Sequence, residues 1–237
     1  MAPFGTLYTP KETLHPRARK IFAAAALNGL ELEVPADFVT SASSKTPEYL
    51  AKFPLGQIPA FEGKAAASSA SSAPLLLTES TAIAQYVADS GPRREQLLGC
   101  DAATRALNQQ WIQFNDLQFE AAAKDLAGWR IGHATYCAER EARAAADVRR
   151  WLARYEGHLK EKSGRAWFVN EEAEGPSLAD LVVGGTVFIL CLVYMDEEMR
   201  GGYPNVLRFY EGLSKVTGLG ELYTLPLLER RKEPEQE

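Results

Sequence analysis

Two short runs in this chain hold residues able to grip a small peptide-like ligand. The first is Gly56-Gln57-Ile58-Pro59-Ala60-Phe61, and the second is Leu75-Leu76-Leu77-Thr78-Glu79-Ser80-Thr81. Proline has no N–H, so Pro59 belongs at a strand start, an edge or a turn. X–Pro is also the one linkage where a cis peptide bond is readily accessible. The sequence predicts a cis bond before Pro59 and an outward-facing Ile58 backbone that can pair with an extended peptide. Glu79, Ser80 and Thr81 open a helical pattern over Ala82–Val87. The first amides of a helix have no partner inside it and favour an anion. Backbone pairing and a carboxylate site therefore fall side by side. Taken alone, Glu79-Ser80 reads as an ordinary helix start, where both residue types are common. The Gln57-Ile58-Pro59 run upstream gives it a second meaning.

The elements that must position these runs can be read along the chain. Gly5–Thr9 reads as a first strand and Pro10–Pro16 as a loop. Arg17–Leu27 is an alanine-rich helical stretch, with Pro16 suited to its first turn and Gly29 to its end. Glu31–Val39 reads as a second strand, broken at Pro35, and Thr46 can cap a helical turn over Pro47–Lys52. Two strands follow, around Ala60-Phe61 and Pro74–Thr78. Between them, Lys64–Pro74 is an Ala/Ser-rich stretch that reads as a flexible surface loop. The pattern suits a small α/β layer. Beyond Ser90-Gly91-Pro92 helical periods take over, with Leu107, Trp111 and Phe114 on one helix and Val148, Trp151, Leu152, Tyr155 and Leu159 on another. Ser177 and Asp180 form a capping pair ahead of a helix that is apolar on nearly every face, which belongs at the centre of a bundle. Val206, Phe209, Tyr210 and Leu213 mark a last amphipathic helix, and Glu229–Glu237 reads as a disordered charged tail.

Composition narrows the function classes. The 237 residues are 46% hydrophobic and 24% charged, enough for a sizeable core in one large or two small domains. A net charge of −5 without a long basic run argues against nucleic acid. Cys100, Cys137 and Cys191 are odd in number and lack Cys-x-x-Cys spacing, which supports neither a disulfide framework nor a zinc ribbon. His15, His133 and His158 show no metal-ligand spacing, so no metal is expected. Met1-Ala2-Pro3-Phe4 lacks the features of a signal peptide. The longest apolar run, Leu181–Tyr194, falls short of the ~20 residues a membrane span needs. A reducing, cytoplasmic setting with no membrane partner is the simplest expectation.

The two runs, with Ala82-Ile83-Ala84-Gln85-Tyr86-Val87 behind them, resemble the glutathione site of cytosolic glutathione transferases, most closely the transferase-like region of elongation factor 1B gamma. Gly5–Thr9, Arg17-Ala18-Arg19-Lys20, Glu48–Pro54 and Phe61-Glu62-Gly63 carry the likeness further, and it continues through the second half. The resemblance implies an α/β thioredoxin-like N-terminal domain over 1–90, an all-α helical bundle over 97–228 and a charged tail over 229–237. It implies that Glu79 and Ser80 hold the γ-glutamyl end of glutathione. The backbone of Ile58 would pair with the cysteinyl part, and Gln57 would lie beside it. Lys45 matches a lysine of the plant-type phi class, twelve residues ahead of the glutamine, and would meet the glycyl carboxylate. The neighbouring histidine of that class is Ser44 here, and an exposed surface lysine is the competing reading of Lys45.

The same resemblance implies a thiol-activating Ser, Tyr or Cys near the end of the first strand or the start of the first helix. Pro10–Pro16 contains neither Ser nor Cys, and the missing Cys argues against disulfide-forming, omega-like chemistry. Aligning Arg17-Ala18-Arg19-Lys20 with the elongation-factor pattern puts Thr13 four residues before the arginine. Aligning on Asn28-Gly29 instead puts His15 at the phi-class serine. Thr13 and His15 are the candidate catalytic residues. Tyr8 reads as a core tyrosine, and Arg17 as either a positive charge near the thiol or a solvated side chain.

The activity implied is transfer of glutathione, as co-substrate, to an electrophilic aromatic or otherwise apolar small molecule, in detoxification or secondary metabolism. A homodimer is implied, each small domain packed on the partner's helices. The acceptor pocket is expected between the domains, along the helix around Trp111 to Phe119. Alternatives are glutathione-dependent reduction, isomerisation or elimination on a metabolite, a glutathione-binding carrier, and a non-catalytic interaction module like the elongation-factor region. In that factor a linker and a further folded domain follow. Here only the charged tail follows, which favours a free-standing enzyme.

Overall fold

The alternation of side chains across a short sheet organises the first half of the chain. Strand β1 (Gly5–Tyr8) runs parallel to β2 (Leu32–Glu33) and antiparallel to β3 (Ala60–Gly63), and β3 pairs antiparallel with β4 (Leu75–Leu77). The strand order is β2-β1-β3-β4. Leu7 lies opposite Phe61, and Tyr8 opposite Ala60. Because successive residues of a strand face opposite ways, the two pairs serve different layers. Leu7 and Phe61 are fully buried on the side of helices α1 (Pro16–Asn28) and α4 (Ser80–Asp89), which pack on each other. Phe61 meets Tyr86 of α4 there, 5.7 Å between ring centroids. Tyr8 and Ala60 face the other layer, where Phe38, Tyr49 and Phe53 gather. Helix α2 (Thr40–Ser43) and helix α3 (Pro47–Lys52) lead into that layer, and Thr46 caps α3 by accepting from the Tyr49 N–H. Helix α5 (Arg94–Leu98) closes this part of the chain.

The computed structural model describes residues 2–10, 15–64, 73–161, 166–224 and 227–234, and the chain divides into two compact units, Met1–Leu98 and Gly99–Glu237. Most of the Ala/Ser-rich loop and the last three residues of the tail lie outside the described residues. The second strand is shorter than its sequence predicts. Instead of spanning Glu31–Val39 it stops at Glu33, and Phe38 N–H turns back onto the Pro35 carbonyl. A proline cannot donate to a ladder, so pairing ends before it and the chain coils into α2.

The second unit is helical. Helix α6 (Ala102–Phe114) passes through one π-turn over Asn115–Phe119 into α7 (Glu120–Arg130), and α8 (Ala138–Glu161) packs back on α7. Helix α9 (Leu178–Val193) is buried along almost its whole length, as its apolar sequence predicts. Gly184 lets α9 approach its neighbours, since a Cβ there would run into Leu213 and Tyr223. The Ser177–Asp180 capping pair is present and buried. Asp180 also accepts from the Phe168 N–H at 2.7 Å, tying the preceding loop to the helix start. Helices α10 (Glu197–Gly201), α11 (Pro204–Lys215) and α12 (Gly220–Tyr223) complete the unit.

The charged tail corrects one expectation. Residues 229–234 are bound to the helical unit rather than disordered. The Glu229 carbonyl accepts from Glu197 N–H, the Lys232 carbonyl from Arg130, and Arg231 pairs with Asp196 at 3.3 Å. The cations also lie over aromatic faces, Arg231 over Tyr194 and Lys232 over Trp129. Charge composition signals solvation; here backbone acceptors and ring faces supply the partners that anchor the segment. Among the described residues, no helix is long and apolar enough to cross a membrane.

Candidate functional site

The turn before β3 and the start of α4 meet in one cleft of the first unit. It is lined by Arg17, Gln57, Ile58, Pro59, Glu79 and Ser80, with Phe53, Leu55 and Thr78 at its sides. The bond between Ile58 and Pro59 is cis, as the sequence predicts. Glu79 adopts φ 63°, ψ 111°, the one non-glycine residue with positive φ among those described. That region is costly for a residue with a Cβ and is held in place only by its surroundings. Its carbonyl accepts the first helical bond of α4, from Ile83 N–H at 3.0 Å, while its side chain makes no cap and is exposed. Ser80 is the first residue of α4 and half-buried. The cleft thus presents a carboxylate, a hydroxyl, the positive end of a ten-residue helix and a guanidinium. A carboxylate beside anion-seeking donors matches the two charges of an amino-acid end group.

The loop carrying Ile58 is clamped from the side of α3. Gly56 sits at φ 59°, and a Cβ there would stand 2.7 Å from the Lys45 ammonium and 2.8 Å from the Ser44 carbonyl. Lys45 donates to the Gly56 carbonyl at 3.0 Å. Tyr49 donates its phenolic hydrogen to the Gln57 carbonyl at 2.6 Å. Sequence reasoning missed Tyr49. A phenol in a row of packing aromatics carries no local signal of what its hydroxyl meets.

The remaining candidates are placed as follows. Thr13 lies outside the described residues. His15 precedes α1, and its carbonyl accepts from Ala18 and Arg19 N–H. Its side chain makes no cap and it is not among the residues lining the cleft. Arg17 is. Lys45 is exposed and reaches the loop through Gly56. Tyr8 is committed elsewhere. Its hydroxyl donates to Glu62 at 2.7 Å, and Lys52 pairs with the same carboxylate at 2.7 Å. Burial, then the Glu62 carboxylate, raise the Tyr8 pKa, and the Lys52 and Tyr8 donors hold Glu62 below its usual range. Tyr8 is thus a tie between β1, β3 and α3.

Trp111 and Phe119 are not presented to a ligand. Both are buried in the helical unit, Trp111 against Tyr155 and Phe168, and Phe119 against Tyr155. Gln113, Leu117 and Gln118 are the exposed residues of that stretch. Leu117 borders a groove of about 650 Å³ between α7 and α8, with Gln118, Arg143, Asp147 and Trp151. Among the described residues no cluster of His, Cys, Asp or Glu could hold a metal ion.

Comparison with known proteins agrees with this geometry. Residues 7–89 match the family described as "Glutathione S-transferase, N-terminal domain". The chain is 40% identical over 230 residues to the glutathione S-transferase-like protein LUC7 of a Fusarium species, covering 96% of each chain. It is 32% identical to elongation factor 1-gamma of Equus caballus over 87% of this chain and 43% of that protein. The crystal structure of the transferase-like domain of elongation factor 1-gamma from Saccharomyces cerevisiae shares the fold. It has a TM-score of 0.79 at 21% identity, over 99% of this chain and 100% of that one.

Proposed function

The chain belongs to the glutathione S-transferase family, and we propose that it is a working enzyme of that family. In this reading the cleft binds glutathione, holds its thiol as thiolate and delivers the sulfur to an electrophilic, apolar small molecule. The observation that carries it is the convergence of Ile58, Glu79, Ser80 and Arg17 on one cleft. The γ-glutamyl group ends as an amino acid. Its ammonium meets the Glu79 carboxylate, and its carboxylate meets the Ser80 hydroxyl and the first amides of α4. The backbone of the cysteinyl residue pairs with Ile58, beside Gln57, and Lys45 meets the glycyl carboxylate. The hydroxyl of Thr13, or in second place an N–H of His15, donates to the sulfur. The thiolate pair then forms the new S–C bond while a leaving group departs with its own electron pair. No metal is needed.

The likeness to elongation factor 1-gamma supports a second reading, a non-catalytic interaction module. Turnover of glutathione against a panel of electrophiles separates the two. Conjugation that depends on protein and saturates with glutathione supports the enzyme, whereas binding without turnover supports a module or carrier. Detoxification or secondary metabolism is the setting we propose, in the cytoplasm and as a homodimer. Light scattering checks the last point, since the 26.1 kDa mass of one chain at micromolar concentration excludes the dimer.

A further inference from the structure

We propose that Tyr49 is a positioning residue: its phenol aims the Ile58 N–H at the ligand. This rests on the glutathione reading of the cleft. The Tyr49 ring is 6% exposed and packed among Tyr8, Phe38 and Phe53, with centroids 5.6, 5.7 and 5.1 Å away. That packing sets the direction of the hydroxyl, which lies 2.6 Å from the Gln57 carbonyl oxygen. Burial, with the neighbouring Tyr8, pushes the phenol up to about 12, so it stays a donor through neutral pH.

The Gln57 carbonyl and the Ile58 N–H belong to one peptide unit, and that unit is trans, since the cis bond lies one residue later. In a trans unit the C=O and N–H point in opposite directions. A phenol that holds the carbonyl therefore turns the Ile58 N–H away from itself. Among the described residues nothing accepts a hydrogen bond from that N–H, while Gln57 and Ile58 both line the cleft. Lys45 holds the preceding carbonyl, Gly56. Two side chains from one segment thus orient two consecutive peptide units, and the second is the one a ligand backbone would meet. A donor aimed before binding saves the ligand the cost of ordering it.

Tyr49→Phe removes one oxygen and keeps the ring. In the ligand-free protein, the Gln57 carbonyl-carbon and Ile58 amide resonances are expected to shift. In calorimetric titration the glutathione dissociation constant is expected to rise about 3- to 10-fold, as for loss of one hydrogen bond. The pKa of the bound thiol and kcat should keep their wild-type values, which a general loosening of the fold would not allow. Unmoved Gln57 and Ile58 resonances overturn the assignment whether or not glutathione binds. An unchanged dissociation constant overturns it as well. If the wild-type protein does not bind glutathione, the reading of the cleft fails, and the two resonances alone decide whether Tyr49 aims Ile58.

Discussion

The ammonium of Lys45 and the carbonyl oxygen of Gly56 are 3.0 Å apart, and they close the loop over a residue that has no side chain. Gly56 sits at φ 59° with Lys45 and Ser44 where a Cβ would go. Gly56→Ala is expected to cost about 1–2 kcal/mol for the left-handed backbone alone, and more for the displaced lysine. The denaturant midpoint should fall, and glutathione should bind more weakly because Ile58 lies two residues on. A variant with wild-type midpoint and affinity contradicts this geometry.

Ser80 begins α4 beside the strained Glu79. A hydrogen bond to a charged group is worth ~1.5–3 kcal/mol. Ser80→Ala is therefore expected to weaken glutathione binding roughly 10- to 100-fold, measured by calorimetry. Equal affinity in the mutant removes Ser80 from the carboxylate.

Tyr8 gives its hydroxyl to Glu62, which separates it from thiol activation. Tyr8→Phe should leave the titration of bound glutathione where it is in the wild type. Thr13→Ala should raise that apparent pKa and lower kcat/KM with little change in affinity. If His15→Ala has that effect instead, the imidazole is the donor. A shift with Tyr8→Phe alone would return the role to the phenol.

Asp180 makes stability depend on pH. Its carboxylate takes N–H bonds from Phe168 and Ser177, and burial, the largest effect, raises it from 3.8 to about 6 against those donors. The folded state then holds a proton more tightly than the unfolded chain does. The stabilisation this gives is fully present below pH ~4 and lost as pH rises through about 6. Asp180→Asn is expected to flatten that part of the pH–stability profile, read by denaturant unfolding. Asp180→Ala leaves two buried N–H groups without acceptors and should cost about 2–5 kcal/mol. A profile between pH 4 and 6 identical in Asp180→Asn and wild type contradicts the assignment.

Local signals were the legible ones. Pro59 announced its cis bond, Gly29 the end of α1, and Ser177 with Asp180 the start of α9, because each acts within a few residues of itself. The period of Val148, Trp151, Leu152, Tyr155 and Leu159 marked a buried face. The cleft residues Gln57, Ile58, Glu79 and Ser80 were legible as a set through their family likeness. What escaped depends on contacts distant in sequence. Trp111 and Phe119 were apolar at helical spacing, but only the fold shows that Tyr155 and Phe168 consume those faces. The tail reads as solvated charge until Arg130 and Tyr194 are placed under it. Tyr49 reads as packing until its hydroxyl is found on Gln57.

The central claim is that this cleft binds glutathione and holds it as a thiolate. A free thiol has a pKa of ~8.5 and is mostly protonated at neutral pH. Lowering it to ~6.5 takes about 2.7 kcal/mol of preference for the anion. One hydroxyl donor supplies ~1.5–3 kcal/mol, and the N-terminus of α1 adds ~0.3–1 kcal/mol. The direct measurement is the ultraviolet absorbance of the thiolate, followed against pH with glutathione and wild-type protein together. A saturable signal titrating near pH 6.5 is the expected result. No saturable binding, or a bound thiol still titrating near 8.5, would contradict it.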